Sequence, residues 1–266
     1  MNVKAVISGS DGTLVDSLYM IRRGQYEAAI EYFVERGIAR HGLPTYKEYE
    51  QLVNQSVGGS SRETMERTLR LLFAKHEKQL EQIDFDDLER RLGPIQDRLA
   101  PLHLHPFFDL SGFLRWLGQQ KIGLGIFTSS TRHQLIRNWG SALPALGYSQ
   151  LFSQVGVAEE EKIIALVSRI KATFGLDNFY IVTSDDVAAT KPDPEGIKKV
   201  LKNLNLKAED AVMVGDLPAD IIAGKKAGVR TIGIGHGFGT AEELEAVGAD
   251  KVVGSLAELR AYIENL

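Results

Sequence analysis

The chain of 266 residues contains no cysteine. That removes disulfides, thiolate nucleophiles and cysteine-ligated zinc from consideration, and it suits a reducing compartment. No apolar stretch approaches the roughly 18 unbroken residues that a membrane span requires. The opening segment MNVKAVISGSDGT reaches turn residues too soon for a secretory leader. Basic charge is not in excess: 31 Lys and Arg against 35 Asp and Glu leave a formal charge of -4, which argues against nucleic acid as the main partner. Internal repeats and low-complexity tracts are lacking too. What is there is an ordinary globular composition, 44% hydrophobic and 25% charged, in a length that buries a full core. The expectation is a cytoplasmic globular protein.

Two territories follow along the chain. Residues 17–105 read as helical and highly charged, with no good strand. Ile21, Ala28, Ala29, Tyr32 and Phe33 recur at helical spacing. Ser60 followed by Glu63 marks a capping-box start, and residues 86–99 read as a further helix. Residues 1–16 and 106–266 alternate instead. Short β-prone apolar runs at 3–7, 122–127, 179–183, 211–214 and 231–234 are separated by helical stretches such as 110–120, 195–203 and 219–227. Continuous apolar strands between helices predict a parallel sheet covered on both faces. The fold class is therefore α/β, a doubly wound Rossmann-like sheet with an inserted all-helical domain, binding ligands at the strands' carboxyl ends. Residues 142–171 read as an elongated crossover, with Glu159, Glu160 and Glu161 as a solvated helix start.

The strand ends carry the polar chemistry, and each has a plain structural reading beside the functional one. Ser8-Gly9-Ser10-Asp11-Gly12-Thr13 ends the first run, where Asp-Gly also makes an ordinary tight turn. Thr128-Ser129-Ser130 ends the second, and hydroxyls there either cap the next helix or bind a phosphate oxygen beside its N-terminus. After the third, Asp193-Pro194 is an N-cap and N1 pair, whereas Lys191 has no such duty and suits a phosphate or a carboxylate. After the fourth, Pro218 and Asp220 start a helix, yet Asp216 and Asp220 together suit a hard cation such as magnesium. Four strand ends thus offer a proton-transfer carboxylate, phosphate donors, a cation and a metal clamp, the parts of phosphoryl transfer.

These residues, in this order, resemble the haloacid dehalogenase superfamily of aspartate-nucleophile phosphatases. The segments DGTLVDS, KPDPEGI, MVGDLPADIIAGKKAG and GHGFGTAEELEAVGAD carry the resemblance, which is nearest to phosphoglycolate phosphatases. It implies a magnesium-dependent hydrolase of a small phosphorylated metabolite, with a helical cap. Asp11 would be the general acid/base, its carbonyl contributing to magnesium; Thr128 would bind the transferring group and Lys191 would steady it. Asp216 would ligate magnesium and Asp220 would support that shell. Ser129 would join the substrate site, and Asp16 would lie at the hinge. The GGSSRET stretch is similar to the cap loop of β-phosphoglucomutases, which places Gly58, Gly59 and Arg62 near substrate phosphate and opens a phosphotransferase alternative.

One departure outweighs the matches. The family's first motif is Asp-x-Asp-Gly-Thr, and its first aspartate is the nucleophile; here Gly9 stands in that place. Ser8 and Ser10 are poor substitutes, because neighbours on an extended chain point to opposite faces. Both also depart from the bulky apolar residues usual there, which favours natural divergence over a single replacement. Loss of a nucleophile costs on the order of 10³–10⁶ in turnover. Binding is affected differently, since one carboxylate less also means less repulsion of phosphate. Two readings stand: a phosphatase working by direct attack of water, and a pseudo-phosphatase that binds a phosphometabolite or a partner. His103 and His105 read as hinge or surface residues and His236 as structural, while His41, His76 and His133 form no cluster.

Overall fold

The computed structural model describes residues 3–38, 42–74, 76–143 and 156–266. His41 and residues 144–155 of the expected crossover at 142–171 lie outside these. The chain divides into two compact units, Met1–Asp16 with His105–Leu266, and Ser17–Leu104. The division falls one residue before the expected one, because His105 pairs with Asp16 in a short antiparallel ribbon.

The first unit is built on strands β1 (Ala5–Ser8), β4 (Gly123–Phe127), β5 (Phe179–Val182), β6 (Ala211–Gly215), β7 (Arg230–Ile234) and β8 (Lys251–Val253). They are parallel and lie in the order β5-β4-β1-β6-β7-β8. The ribbon is β2 (Val15–Asp16) with β3 (His105–Pro106). Fully buried runs such as Ala5–Ser8 and Ala211–Gly215 form central strands because both of their faces are covered. Ala5 and Ile7 point into a core shared with Phe127, Ile197, Val200 and Met213, and each such side chain contributes roughly 1.5–3 kcal/mol of burial. Leading from β5 to β6 and from β6 to β7, the helices Glu195–Leu204 and Pro218–Ala227 move rightward through the order. The helices Leu110–Gln120 and Arg132–Ala142 accompany leftward moves. Right-handed crossovers therefore put the two sets on opposite faces, and the direction switches at β1. The carboxyl end of β1 is thus the switch point at which open α/β sheets generally bind ligands.

Two sequence expectations shift. Strand β8 was not foreseen, since three residues beginning with Lys251 form no apolar run. Asp193 does not occupy the N-cap itself: Pro194 does, and the Asp193 carboxylate accepts from the Glu195 N–H at 2.8 Å. The acidic run does open a helix, Glu159–Phe174, with three glutamates in its first turn.

The second unit holds helices Leu18–Arg36, Tyr46–Ser56, Ser61–Leu72 and Phe85–His103. Ser60 and Glu63 form the expected capping box. Phe85–His103 runs longer than expected, carrying Pro94 and Pro101 within it. Tyr32, Phe33, Met65, Leu69 and Leu88 are buried and form its core.

Candidate functional site

The last residue of β1 is followed by Gly9, which is buried and extends the ladder by donating to the Val214 carbonyl at 2.9 Å. A Cβ on Gly9 would lie 2.6 Å from Thr13 Oγ1 and 3.8 Å from Asp220 Oδ1, so position 9 faces Thr13 and the Asp220 carboxylate. Its neighbours do not replace a nucleophile. Ser8 Oγ donates to the Gly9 carbonyl at 2.8 Å, and Ser10 Oγ accepts from Trp139 Nε1 at 2.9 Å. Both serines are buried, turned to other duties by the alternation of an extended chain.

Beyond Ser10 the chain turns sharply, with the N–H groups of Leu14 and Val15 both donating to the Ser10 carbonyl. Gly12 adopts φ 76°, a conformation that glycine alone takes at no cost. The turn presents Asp11, half-buried, to the end of β4. Asp11 Oδ2 accepts from Ser130 Oγ at 2.9 Å, and Oδ1 from Asn138 Nδ2 at 2.6 Å. Neither partner was singled out in the sequence as an Asp11 ligand. Asn138 sits on the helix Arg132–Ala142 and carries no local signal of its role.

At the end of β4 the cap alternative for Thr128 falls away. Thr131 is the N-cap of the following helix, closing a capping box with Gln134. Thr128 Oγ1 instead accepts the Ser130 N–H at 3.1 Å, while its backbone N–H donates to Val182. Its hydroxyl proton remains available for a ligand oxygen. Ser129 is half-buried beside it.

The third and fourth strand ends meet directly. Lys191 Nζ donates to Asp220 Oδ1 at 2.6 Å, with the side chains 10% and 1% exposed. Asp220 also accepts the Leu217 N–H at 3.0 Å, so it caps its helix and binds the ammonium at once. Asp216 is fully buried, its Oδ1 accepting from Thr13 Oγ1 at 2.7 Å and its Oδ2 from the Phe238 N–H at 2.9 Å. Burial, with the Asp220 carboxylate beside it, pushes the Asp216 carboxyl up to about 7. The loop Gly235–Gly239 closes over this carboxylate, and its glycines allow the approach: a Cβ on Gly237 would collide with Asp216. Next to it, His236 Nε2 contacts the Thr13 carbonyl at 3.0 Å and stacks on Phe107 at 3.7 Å. Its place is structural, as expected.

The first unit thus brings together Gly9, Asp11, Thr128, Lys191, Asp216 and Asp220. Gly59, at φ 84°, and Arg62 belong to the second unit. There Arg62 is engaged by Glu66, Asp86 and Glu89, an anionic setting. His103 lies against Tyr19, and His105 is exposed.

Magnesium prefers an octahedron of oxygens, usually with one or two protein carboxylates. Position 9 offers none, and each oxygen of Asp11, Asp216 and Asp220 already accepts a bond from a protein donor. Among the described residues no group of three or more His, Asp or Glu side chains could hold a metal ion. The residues present do not fit a resident magnesium ion.

Comparison with known proteins places this geometry. Residues 3–228 match the haloacid dehalogenase-like hydrolase family. Over 123 residues the chain is 33% identical to the pyrophosphatase PpaX of Halalkalibacterium halodurans, covering 42% of this chain and 57% of that protein. PpaX of Listeria welshimeri is 32% identical over 114 residues, 42% of this chain and 52% of its own. The chain therefore spans about half the length of the curated relatives it matches. Among solved structures, a predicted phosphoglycolate phosphatase from Haemophilus somnus superposes with TM-score 0.71 at 18% identity, covering 98% of each chain. CbbY from Rhodobacter sphaeroides, in complex with phosphate, superposes with TM-score 0.66 at 21% identity, covering 97% of this chain and 96% of its own. At such identities these structures establish the fold alone. Phosphatases of this family act on small phosphorylated substrates and generally use magnesium. On its sequence match over most of its length, the chain belongs to the haloacid dehalogenase-like hydrolase family.

Proposed function

We propose that this chain is a phosphatase-like protein that binds a small phosphorylated metabolite without turning it over through an aspartyl phosphate. The observation that carries this reading is Gly9 at the carboxyl end of β1, facing Asp220 and Thr13 with no nucleophile to offer. Thr128 supplies a hydroxyl proton and Lys191 an ammonium with two donors beyond the one given to Asp220. Ligand candidates come from the relatives: phosphoglycolate, pyrophosphate, or a sugar bisphosphate such as the xylulose-(1,5)bisphosphate bound to a CbbY variant. Magnesium dependence belongs to the family, and the residues of this edge supply no resident site for it. Ser17–Leu104 is taken as the family's helical cap, and Ser129 as a substrate contact in the sheet unit. A cytoplasmic place, with neither nucleic acid nor membrane as partner, accords with the absent cysteine and charge excess.

Hydrolysis by direct attack of water is less well supported, because both Asp11 oxygens are already engaged by Ser130 and Asn138. The phosphotransferase alternative passes through the same missing aspartyl phosphate. The deciding experiment pairs wild type with Gly9→Asp over phosphorylated sugars, phosphoglycolate, nucleotides and pyrophosphate. We expect wild-type turnover lower by about 10³-fold or more, the scale of nucleophile loss. Wild-type turnover equal to that of an active Gly9→Asp variant would establish the enzyme reading instead.

A further inference from the structure

A cavity of about 470 Å³ lies at the other end of the sheet, a volume within the range of small-molecule sites. Lys4, Ile122 and Asn178 line it, and each stands one residue before a strand, β1, β4 and β5 respectively. Those strands are neighbours in the order, so the cavity sits at their amino ends, opposite the edge described above.

Part of its wall is apolar: Val3 and Ile263 line it and are buried. Trp116 lines it too, with only 3% of its surface exposed. The indole is flanked by Phe113, at 5.7 Å between ring centroids, and by the Arg260 guanidinium, 5.5 Å from its ring. Its Nε1 has no acceptor among the described residues. A buried indole N–H ordinarily finds a partner, so this donor calls for an acceptor that the protein does not supply.

The polar lining decides the charge of that acceptor. Lys4 is paired with Asp210 at 2.8 Å, and Glu264 with Arg260 at 2.9 Å. Lys121 lines the cavity as well and has no ion pair among the described residues. Of the side-chain charges here, that ammonium alone is uncommitted. One N–H and one free ammonium match a monoanion. A phosphate dianion is better met by an arginine fork, and Arg260 is engaged by Glu264. The buried apolar wall matches a hydrocarbon body.

We infer that this cavity binds a small amphipathic carboxylate, its oxygens taken by Trp116 Nε1 and the Lys121 ammonium and its hydrocarbon part by Val3 and Ile263. The site is separate from the phosphate edge and stands whether or not that edge binds phosphate.

The full chain is titrated with benzoate, phenylacetate and hexanoate at millimolar concentration, with the indole N–H resonances followed by heteronuclear NMR and affinity by calorimetry. Trp116→Phe, which keeps an aromatic wall, identifies the Trp116 resonance by its loss. At least one of the carboxylates should move that resonance saturably. The matching neutral amide should bind about 10-fold more weakly or worse, the scale of one charged hydrogen bond. Trp116→Phe and Lys121→Met should each weaken the carboxylate by a similar factor, and Lys121 is exposed, so its replacement leaves folding intact. No saturable movement of the Trp116 resonance with any of the three overturns the proposal and leaves the N–H to a buried water. So does an amide that binds as tightly as its acid, or an affinity unchanged in Lys121→Met. Inorganic phosphate that displaces the carboxylate overturns the assigned class.

Discussion

Replacing Lys191 by methionine removes the ammonium paired with the buried Asp220 carboxylate. In the folded chain its Nζ lies 2.6 Å from Asp220 Oδ1 and 5.6 Å from the centre of the Phe127 ring. Methionine keeps most of the apolar stem, so the loss falls on the charge. Breaking a buried pair from one side costs about 3–5 kcal/mol, because the remaining charge stays buried without compensation. The ammonium is 10% exposed, which favours the lower end. At about 2–4 °C per kcal/mol for a domain of this size, the midpoint should fall by roughly 6–12 °C. Both tryptophans, Trp116 and Trp139, lie in the sheet unit, so their fluorescence follows that unit's unfolding without interference from the helical one. The double variant Lys191→Met with Asp220→Asn should recover most of the loss, since the amide carries no charge and still accepts the Leu217 N–H. A loss below about 1 kcal/mol for Lys191→Met, or a double variant whose loss is the sum of the singles, would refute the reasoning, because contacting charges are coupled.

Other expectations follow from single contacts. Asp216, raised to about 7 against an ordinary carboxylate near 3.9 when unfolded, keeps in the folded chain a proton that the unfolded chain has lost between those values. The Asp216 contribution to stability should therefore fall as pH rises from about 4 to 7, and urea unfolding should show the stability of wild type relative to Asp216→Asn declining across that range. Gly196→Ala puts a Cβ into the Phe127 ring and should cost about 1–3 kcal/mol by denaturant unfolding, the usual range for overpacking. Trp139→Phe leaves Ser10 Oγ buried without its donor, and an equilibrium loss of about 1–3 kcal/mol is expected.

The sheet was legible because its central strands are continuous apolar runs. The clustering of Asp11, Thr128, Lys191 and Asp216 was legible because each comes after an apolar run, at the carboxyl end of its strand. Strands of two or three residues gave no period to read, so β2, β3 and β8 escaped. The links between strand ends escaped for another reason. Asn138 and Ser130 reach Asp11 from 127 and 119 residues away, and Trp139 reaches Ser10 from 129. Local pattern holds no information about such tertiary pairings. The Phe238 amide on Asp216 did leave a trace, the glycine density of GHGFG, which marks close backbone approach. What no pattern disclosed is that Thr13 Oγ1 lies so near the space of a side chain at position 9.

Whether this edge lacks a working nucleophile is decided by trapping the covalent intermediate. Wild type and Gly9→Asp are incubated with a radiolabelled phosphate ester and magnesium, quenched in acid, and examined for hydroxylamine-labile label on protein. Label is expected on Gly9→Asp, at the introduced aspartate, and none on wild type. Hydroxylamine-labile label on the wild-type chain, mapped to Asp11 or another carboxylate of this edge, would contradict it.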